Sequence, residues 1–239
     1  VLDLTVKKGM KQGWLVNLEG GYGTKDRYTV KGDVMRILDN TQFALFAGSN
    51  NVNDRSMGGG GRWSRGGNGI VSSQMVGANL AWENGKRDYE AGLLKTGGSV
   101  RFHRTFSESM SRSNSETFLQ DMSKWNNSLS TGENLNWSIN ADFRLEWMPD
   151  SMTNTIFRPS YSHSEGNSES MSASVSFDGD PYEAGMEYPL EEFADTIANP
   201  WFKDILVNSN RNNGLSRSSS DNANASLQIN RRLGKPGRN

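Results

Sequence analysis

Two short runs in this 239-residue chain belong to the vocabulary of penicillin-binding serine enzymes: Lys95-Thr96-Gly97 and Ser220-Asp221-Asn222. They occur in the wrong order, and no lysine has a serine three residues before it, so the nucleophile of that chemistry is missing. Both read as chance matches of very short patterns. The glycine-rich run Gly58 to Gly69 could suggest a phosphate cradle, but it lacks the Gly-Lys-Ser/Thr ending and no helical pattern follows it. It reads as an external loop whose Arg62, Trp63 and Arg65 are candidate ligand contacts, together with Trp201 in a later apolar-rich connection. The two histidines, His103 and His163, sit among polar residues, and there is no cysteine. A zinc site needs three or four good ligands, so both histidines are expected at solvated surface or interior positions, with no metal centre. Asp178-Gly179-Asp180 lacks the rest of a calcium-loop pattern and reads as a turn. Glu191, Glu192 and Asp195 read as a solvated face. No catalytic residue and no cofactor is expected.

The elements that would position such residues are strands. From Leu135 to Trp147, Leu135, Trp137, Ile139, Ala141, Phe143, Leu145 and Trp147 alternate with Asn136, Ser138, Asn140, Asp142, Arg144 and Glu146. Period two gives one apolar and one polar face, and a helix would scatter these residues around its circumference. The same alternation recurs over Trp14–Tyr22, Tyr28–Val34, Phe43–Ala47, Val76–Trp82, Phe157–Tyr161 and Ala223–Leu233. A strand from Tyr89 changes parity between Leu93 and Val100, which predicts a bulge at Gly97-Gly98. That makes eight strands. Ser170 to Phe177 alternates as well and is expected to extend one strand outward. A short helix is expected near Leu190–Ile197.

Composition fits a fold in which only every second residue is apolar: 34% of residues are hydrophobic, yet 10% are aromatic. That aromatic content is too high for a typical disordered chain. A net charge of −1 gives no global pull on nucleic acid, and no nucleic-acid partner is expected. No apolar run reaches the roughly 18 residues of a membrane helix, a test that barrel strands escape. Short turns at Asp39-Asn40, Asn84–Lys86, Pro149–Ser151 and Gly234–Pro236 alternate with longer polar stretches over 50–73, 107–131 and 178–219. Trp14, Phe43, Trp82, Tyr89, Trp147 and Phe157 gather toward the short-turn end. Sorted loops and aromatics at a water boundary are expected of an outer-membrane barrel. Ten tilted residues rise roughly 24 Å, close to the apolar band of about 25 Å in such barrels. The fold expected is therefore all-β: an incomplete antiparallel up-and-down transmembrane β-barrel, with short periplasmic turns and long extracellular loops. Glu19, Lys31, Asp33, Asp142, Arg144 and Glu146 would then face the lumen, pairing with one another or with a plug.

The opening Leu2-Asp3-Leu4-Thr5-Val6-Lys7-Lys8-Gly9, followed by Gly13-Trp14 and Gly20-Gly21-Tyr22-Gly23, resembles the passage from plug to first barrel strand in TonB-dependent outer-membrane receptors. Ala47–Asp54, Pro149-Asp150-Ser151 and Phe157-Arg158-Pro159 resemble outer-membrane barrels related to them. The resemblance implies that residues 1–9 end a plug domain and residues 10–239 form part of the barrel. It implies a Gram-negative outer membrane, membrane lipid and the plug of the same full-length chain as partners, and nutrient uptake coupled to an inner-membrane energy-coupling complex. With no signal peptide at Val1, the chain reads as an internal piece of such a receptor. A secreted or surface-exposed all-β binding module, an adhesin or glycan-binding sandwich, remains the alternative, and an enzyme comes third.

Overall fold

In the computed structural model, the described residues are 12–52, 70–86, 90–118, 123–183, 190, 200–232 and 234. They form one antiparallel sheet of eight strands in sequential order: β1 (Gly13–Tyr22), β2 (Tyr28–Leu38), β3 (Thr41–Asn50), β4 (Ile70–Glu83), β5 (Leu93–Phe118), β6 (Ser123–Asp150), β7 (Thr153–Phe177) and β8 (Leu206–Arg231). Each strand pairs with its neighbours in the chain, and among the described residues the sheet is open, with β1 and β8 at its two edges. One 3₁₀ turn, Pro200–Phe202, precedes β8. Among the described residues no helix is long and apolar enough to cross a membrane.

Local chemistry explains the connections. Asp39-Asn40 joins β2 to β3 in two residues. At the β6–β7 turn the Asp150 carboxylate accepts from the Met152 backbone N–H (2.7 Å) and the Thr153 hydroxyl (3.0 Å), an Asx-type turn. These bonds hold its carboxyl below the usual carboxylate range, the Met152 N–H contributing most. At the opposite end of β1, Lys25 and Asp26 adopt positive φ (59° and 55°). Asn51 braces that bend by accepting from the Tyr28 N–H (2.7 Å) and donating to the Asp26 carbonyl (2.9 Å).

Three expectations change. The register of β5 runs unbroken through Gly97 and Gly98 against both β4 and β6, so there is no bulge there. A side chain at Gly98 would run into the Asp142 carbonyl, and one at Gly97 would crowd that of Leu80. The glycines permit close strand approach, and Leu93 simply lies on the polar face, buried at the sheet end. The second change concerns the polar stretch 107–131, which is a continuation of the β5–β6 ladder up to Phe118 and from Ser123. Third, most of 206–219 is strand β8 paired to β7. Serine and asparagine on both faces hide these extensions from a search for alternation, because a ladder wetted on both sides needs no apolar face. Register shifts occur instead at Trp147/Asp150 and Ser176/Phe177. The expectations for residues 1–9, for Tyr89 and for most of Leu190–Ile197 lie outside the described residues, as do Glu191, Glu192, Asp195 and the residues 235–236 of the last turn.

The strands divide into a short set, β1 to β4 (10 to 14 residues), and a long set, β5 to β8 (25 to 28 residues). At about 3.3 Å per residue the long strands reach roughly 85 Å. The buried residues cluster at the sheet's far tip, where Leu129, Ala173, Val175 and Phe177 are buried with Leu190 and Phe202, while Val71, Met75, Leu93, Met148 and Ile156 are buried along the sheet itself.

Candidate functional site

Register assigns every strand residue to a face. One face carries Trp14, Val16, Leu18, Val30, Val34, Phe43, Leu45, Val76, Leu80, Trp82, Val100, Phe143, Trp147, Phe157, Leu227 and Ile229. All of these but the half-buried Val34 are exposed, with Leu18 at 81% and Leu227 and Ile229 at 62%. Such an apolar surface, continuous over eight strands, far exceeds what soluble monomers expose. The band runs obliquely to the cross-strand rows. Polar residues interrupt it at Arg36 near the short-turn end of β2, at Gln74 and Arg104 on β4 and β5, and at His163 with Asp221 on β7 and β8. Arg36 lies over the Trp14 ring, 4.8 Å from its centroid. An oblique band is the pattern that strand tilt relative to a slab requires.

The other face is polar in the charges it carries, and it also holds Leu15, Met35, Ile37, Phe46 and Met75. Lys31 and Glu19, directly opposite on β2 and β1, form an ion pair at 3.1 Å. One step along, the Asn17 amide donates to the Asp33 carboxylate (2.9 Å). A second group lies on β4 to β7. Arg144 pairs with Glu146 at 2.9 Å, Asn154 donates to Glu146 at 3.1 Å, and Lys95 stands opposite Glu146 and 3.9 Å from Glu83. Asp142 accepts from the Ser99 hydroxyl. Thus the six charges predicted to share a face do share one, but as two groups. Between them β3 presents Gln42, Ala44 and Phe46, and the Phe46 ring covers Gly77 and lies 5.7 Å from the Arg101 guanidinium. Arg62, Trp63 and Arg65 lie outside the described residues, and Trp201 falls in the 3₁₀ turn Pro200–Phe202.

His163 departs from the expected solvated position. It shares the apolar face with Tyr161, its ring lies tilted against that of Trp137 with centroids 4.8 Å apart, and its Nδ1 lies 2.8 Å from Asp221. Asp221 also accepts from the Tyr161 hydroxyl (2.8 Å). His103 lies on the polar face, opposite Met75 and Ser138. The Lys-Thr-Gly and Ser-Asp-Asn runs sit on β5 and β8 with two strands between them, so they build no common site. Among the described residues no group of three His, Asp or Glu converges as metal ligands.

The tip core was missed by the sequence reading. The Phe177 and Phe202 rings meet tilted, with centroids 5.1 Å apart, and Trp125 meets Tyr182 edge-on at 5.6 Å. The Tyr182 hydroxyl reaches Asn127 (3.5 Å), and burial pushes that hydroxyl's pKa up. Asp178 and Gly179 form a bend and the turn follows at residues 181–183, with Asp180 accepting from the Tyr182 N–H at 2.8 Å. The missed signal was available: Trp125, Leu129, Ala173, Val175 and Phe177 share one parity, and the following connection is rich in apolar residues.

No family model matches the chain, and neither a curated protein nor a solved structure matches it with significance.

Proposed function

We propose that this sheet is a section of the wall of an outer-membrane β-barrel that takes up a solute, of the TonB-dependent receptor type. The observation that carries the proposal is the bare apolar face. Closed antiparallel strands satisfy backbone groups in lipid, and their outward residues must then be apolar while the inward ones are polar. Here the apolar residues of the band stand exposed on one side of all eight strands, and the Glu19–Lys31 and Arg144–Glu146 ion pairs stand on the other. Aromatic residues occur toward both limits of the band on that same face: Trp14, Trp82 and Trp147 on one side, Tyr22, Tyr28, Trp137 and Tyr161 on the other. Amphipathic rings favour such boundaries. The long extensions of β5 to β8 would raise the tip above the membrane to meet the solute. Glu19, Lys31, Asp33, Asp142, Arg144 and Glu146 would line the lumen or meet a plug, and energy would come from an inner-membrane complex.

The competing reading, a soluble surface-exposed binding module, needs a second layer over the apolar face. Among the described residues no such layer covers the band. Fractionation separates the two. The full-length protein is expected in the outer-membrane fraction, released by detergent and not by salt or carbonate. A monodisperse species that needs no detergent would overturn the proposal.

A further inference from the structure

The apolar face is not uniformly filled. Along one cross-strand row it reads Leu18, Gly32, Ala47, Val76, Phe102, so the two smallest side chains stand between a leucine and a phenylalanine. The result is an open trough of about 730 Å³, which lies within the ~300–1,000 Å³ of small-ligand sites. Its lining is apolar along most of its length and turns polar at one end, where Ser49 and Gln74 lie opposite each other. The next residue in that row is Arg104, whose Nη1 donates to the Gln74 side-chain oxygen at 3.4 Å. Beyond it stands Trp137.

Arg104 is unusual for its place. It shares the apolar face, its cross-strand neighbours there are Gln74 and Trp137, and among the described residues no carboxylate lies within ion-pair distance of it. A long guanidinium side chain lays its stem on apolar surface and holds its head at the wet margin, where its planar fork suits a phosphate. An apolar trough that ends beside this guanidinium matches an acyl chain ending in an anionic head.

We infer that this trough and Arg104 together seat one anionic phospholipid, its acyl chain between Leu18 and Phe102 and its phosphate on Arg104. The inference rests on the membrane reading above. It goes beyond general solvation of the barrel by lipid, because it assigns a preference for one lipid charge at one place on the wall.

The test uses the absence of cysteine from the sequence. A bimane label is placed at Ala78→Cys, on the apolar face beside the trough but not lining it, and in a second protein at Leu227→Cys, far away on β8. Both full-length proteins are reconstituted in phosphatidylcholine bilayers containing brominated phosphatidylglycerol or brominated phosphatidylcholine. At position 78 the anionic lipid is expected to quench about threefold to fivefold more effectively than the zwitterionic one, the discrimination expected of one interfacial cation. At position 227 the two should quench alike. Arg104→Gln should abolish the preference at 78, and Arg104→Lys should keep part of it. Ala47→Phe, which fills the trough while leaving the charge in place, should lower it too. Equal quenching at both positions, or a preference that survives Arg104→Gln, overturns the inference and leaves the membrane reading standing. If no brominated lipid quenches at either position, both fall together.

Discussion

The same face of the same two strands is treated in opposite ways at its two ends. At the tip, Leu129 on β6 and Ala173, Val175 and Phe177 on β7 lie under the chain that follows, with Phe177 and Phe202 fully buried. Lower on those strands, residues of equal parity, Phe143, Trp147 and Phe157, stand uncovered. The register between the two regions is continuous, so strand geometry does not explain the difference. The chain covers its own apolar residues where the strands project, and leaves them bare in a band that crosses all eight strands. Fully burying a Phe or Leu side chain is worth roughly 1.5–3 kcal/mol. A protein that covers this face at one end has the means to cover it elsewhere, and the bare band is explained if hydrocarbon covers it.

The largest expected effect lies at the tip. Phe177→Ala removes a fully buried ring and should cost about 3–5 kcal/mol of local stability. Hydrogen exchange should show amides near Val175 and Leu206 losing protection while those of β1 to β4 are unchanged. Spread of the loss to β1 to β4 would mean that the two regions are one cooperative unit. Next in size is the band. Val100→Arg, in the middle of the apolar face, should cost about 2–4 kcal/mol in bilayer unfolding titrations, and Asn79→Arg on the polar face should cost less than about 1 kcal/mol. Similar costs would erase the assignment of faces.

Smaller effects test the polar face. Glu19 and Lys31 pair across exposed strands, so a double-mutant cycle should give a coupling of about 0.2–1 kcal/mol. A larger coupling would point to a desolvated pair and a closed interior around it. The smallest effect concerns Asp150. Its folded-state pKa is depressed, chiefly by the Met152 N–H, so its contribution is present above the unfolded carboxylate value near pH 3.9. It is lost as pH falls through the folded value. With the intrinsic pH dependence of exchange divided out, acidification below about pH 4 should therefore lower the protection of the Met152 amide, and Asp150→Asn should make that protection insensitive to pH.

How much of this was readable beforehand varied with the chemistry of each stretch. The alternation from Leu135 to Trp147 specifies both the strand and its facing, because a one-residue slip would invert every side chain. The extensions of β5, β6 and β8 were not readable as strands: runs such as Ser218-Ser219-Ser220 carry no face to detect, and their order comes from pairing with neighbours. Gly97 and Gly98 misled in the other direction. Two glycines and a parity change suggest a bulge, whereas the cause is close approach of β4 and β6 to β5. Period two fixes facing, so Glu19, Lys31, Asp33, Asp142, Arg144 and Glu146 fall on one face of the sheet. Their division into two groups depends on which strands lie between, and the Asp221–His163 contact depends on the β7–β8 register, which neither local sequence contains.

The most direct test of the central claim is a scan of nitroxide labels through Phe43, Ala44, Leu45, Phe46 and Ala47 in the bilayer-reconstituted protein. Collision with oxygen, which concentrates in hydrocarbon, is compared with collision with a water-soluble nickel chelate. Oxygen should dominate at 43, 45 and 47, and the chelate should gain at 44 and 46. Chelate access at Leu45 equal to that at Ala44 would contradict the account.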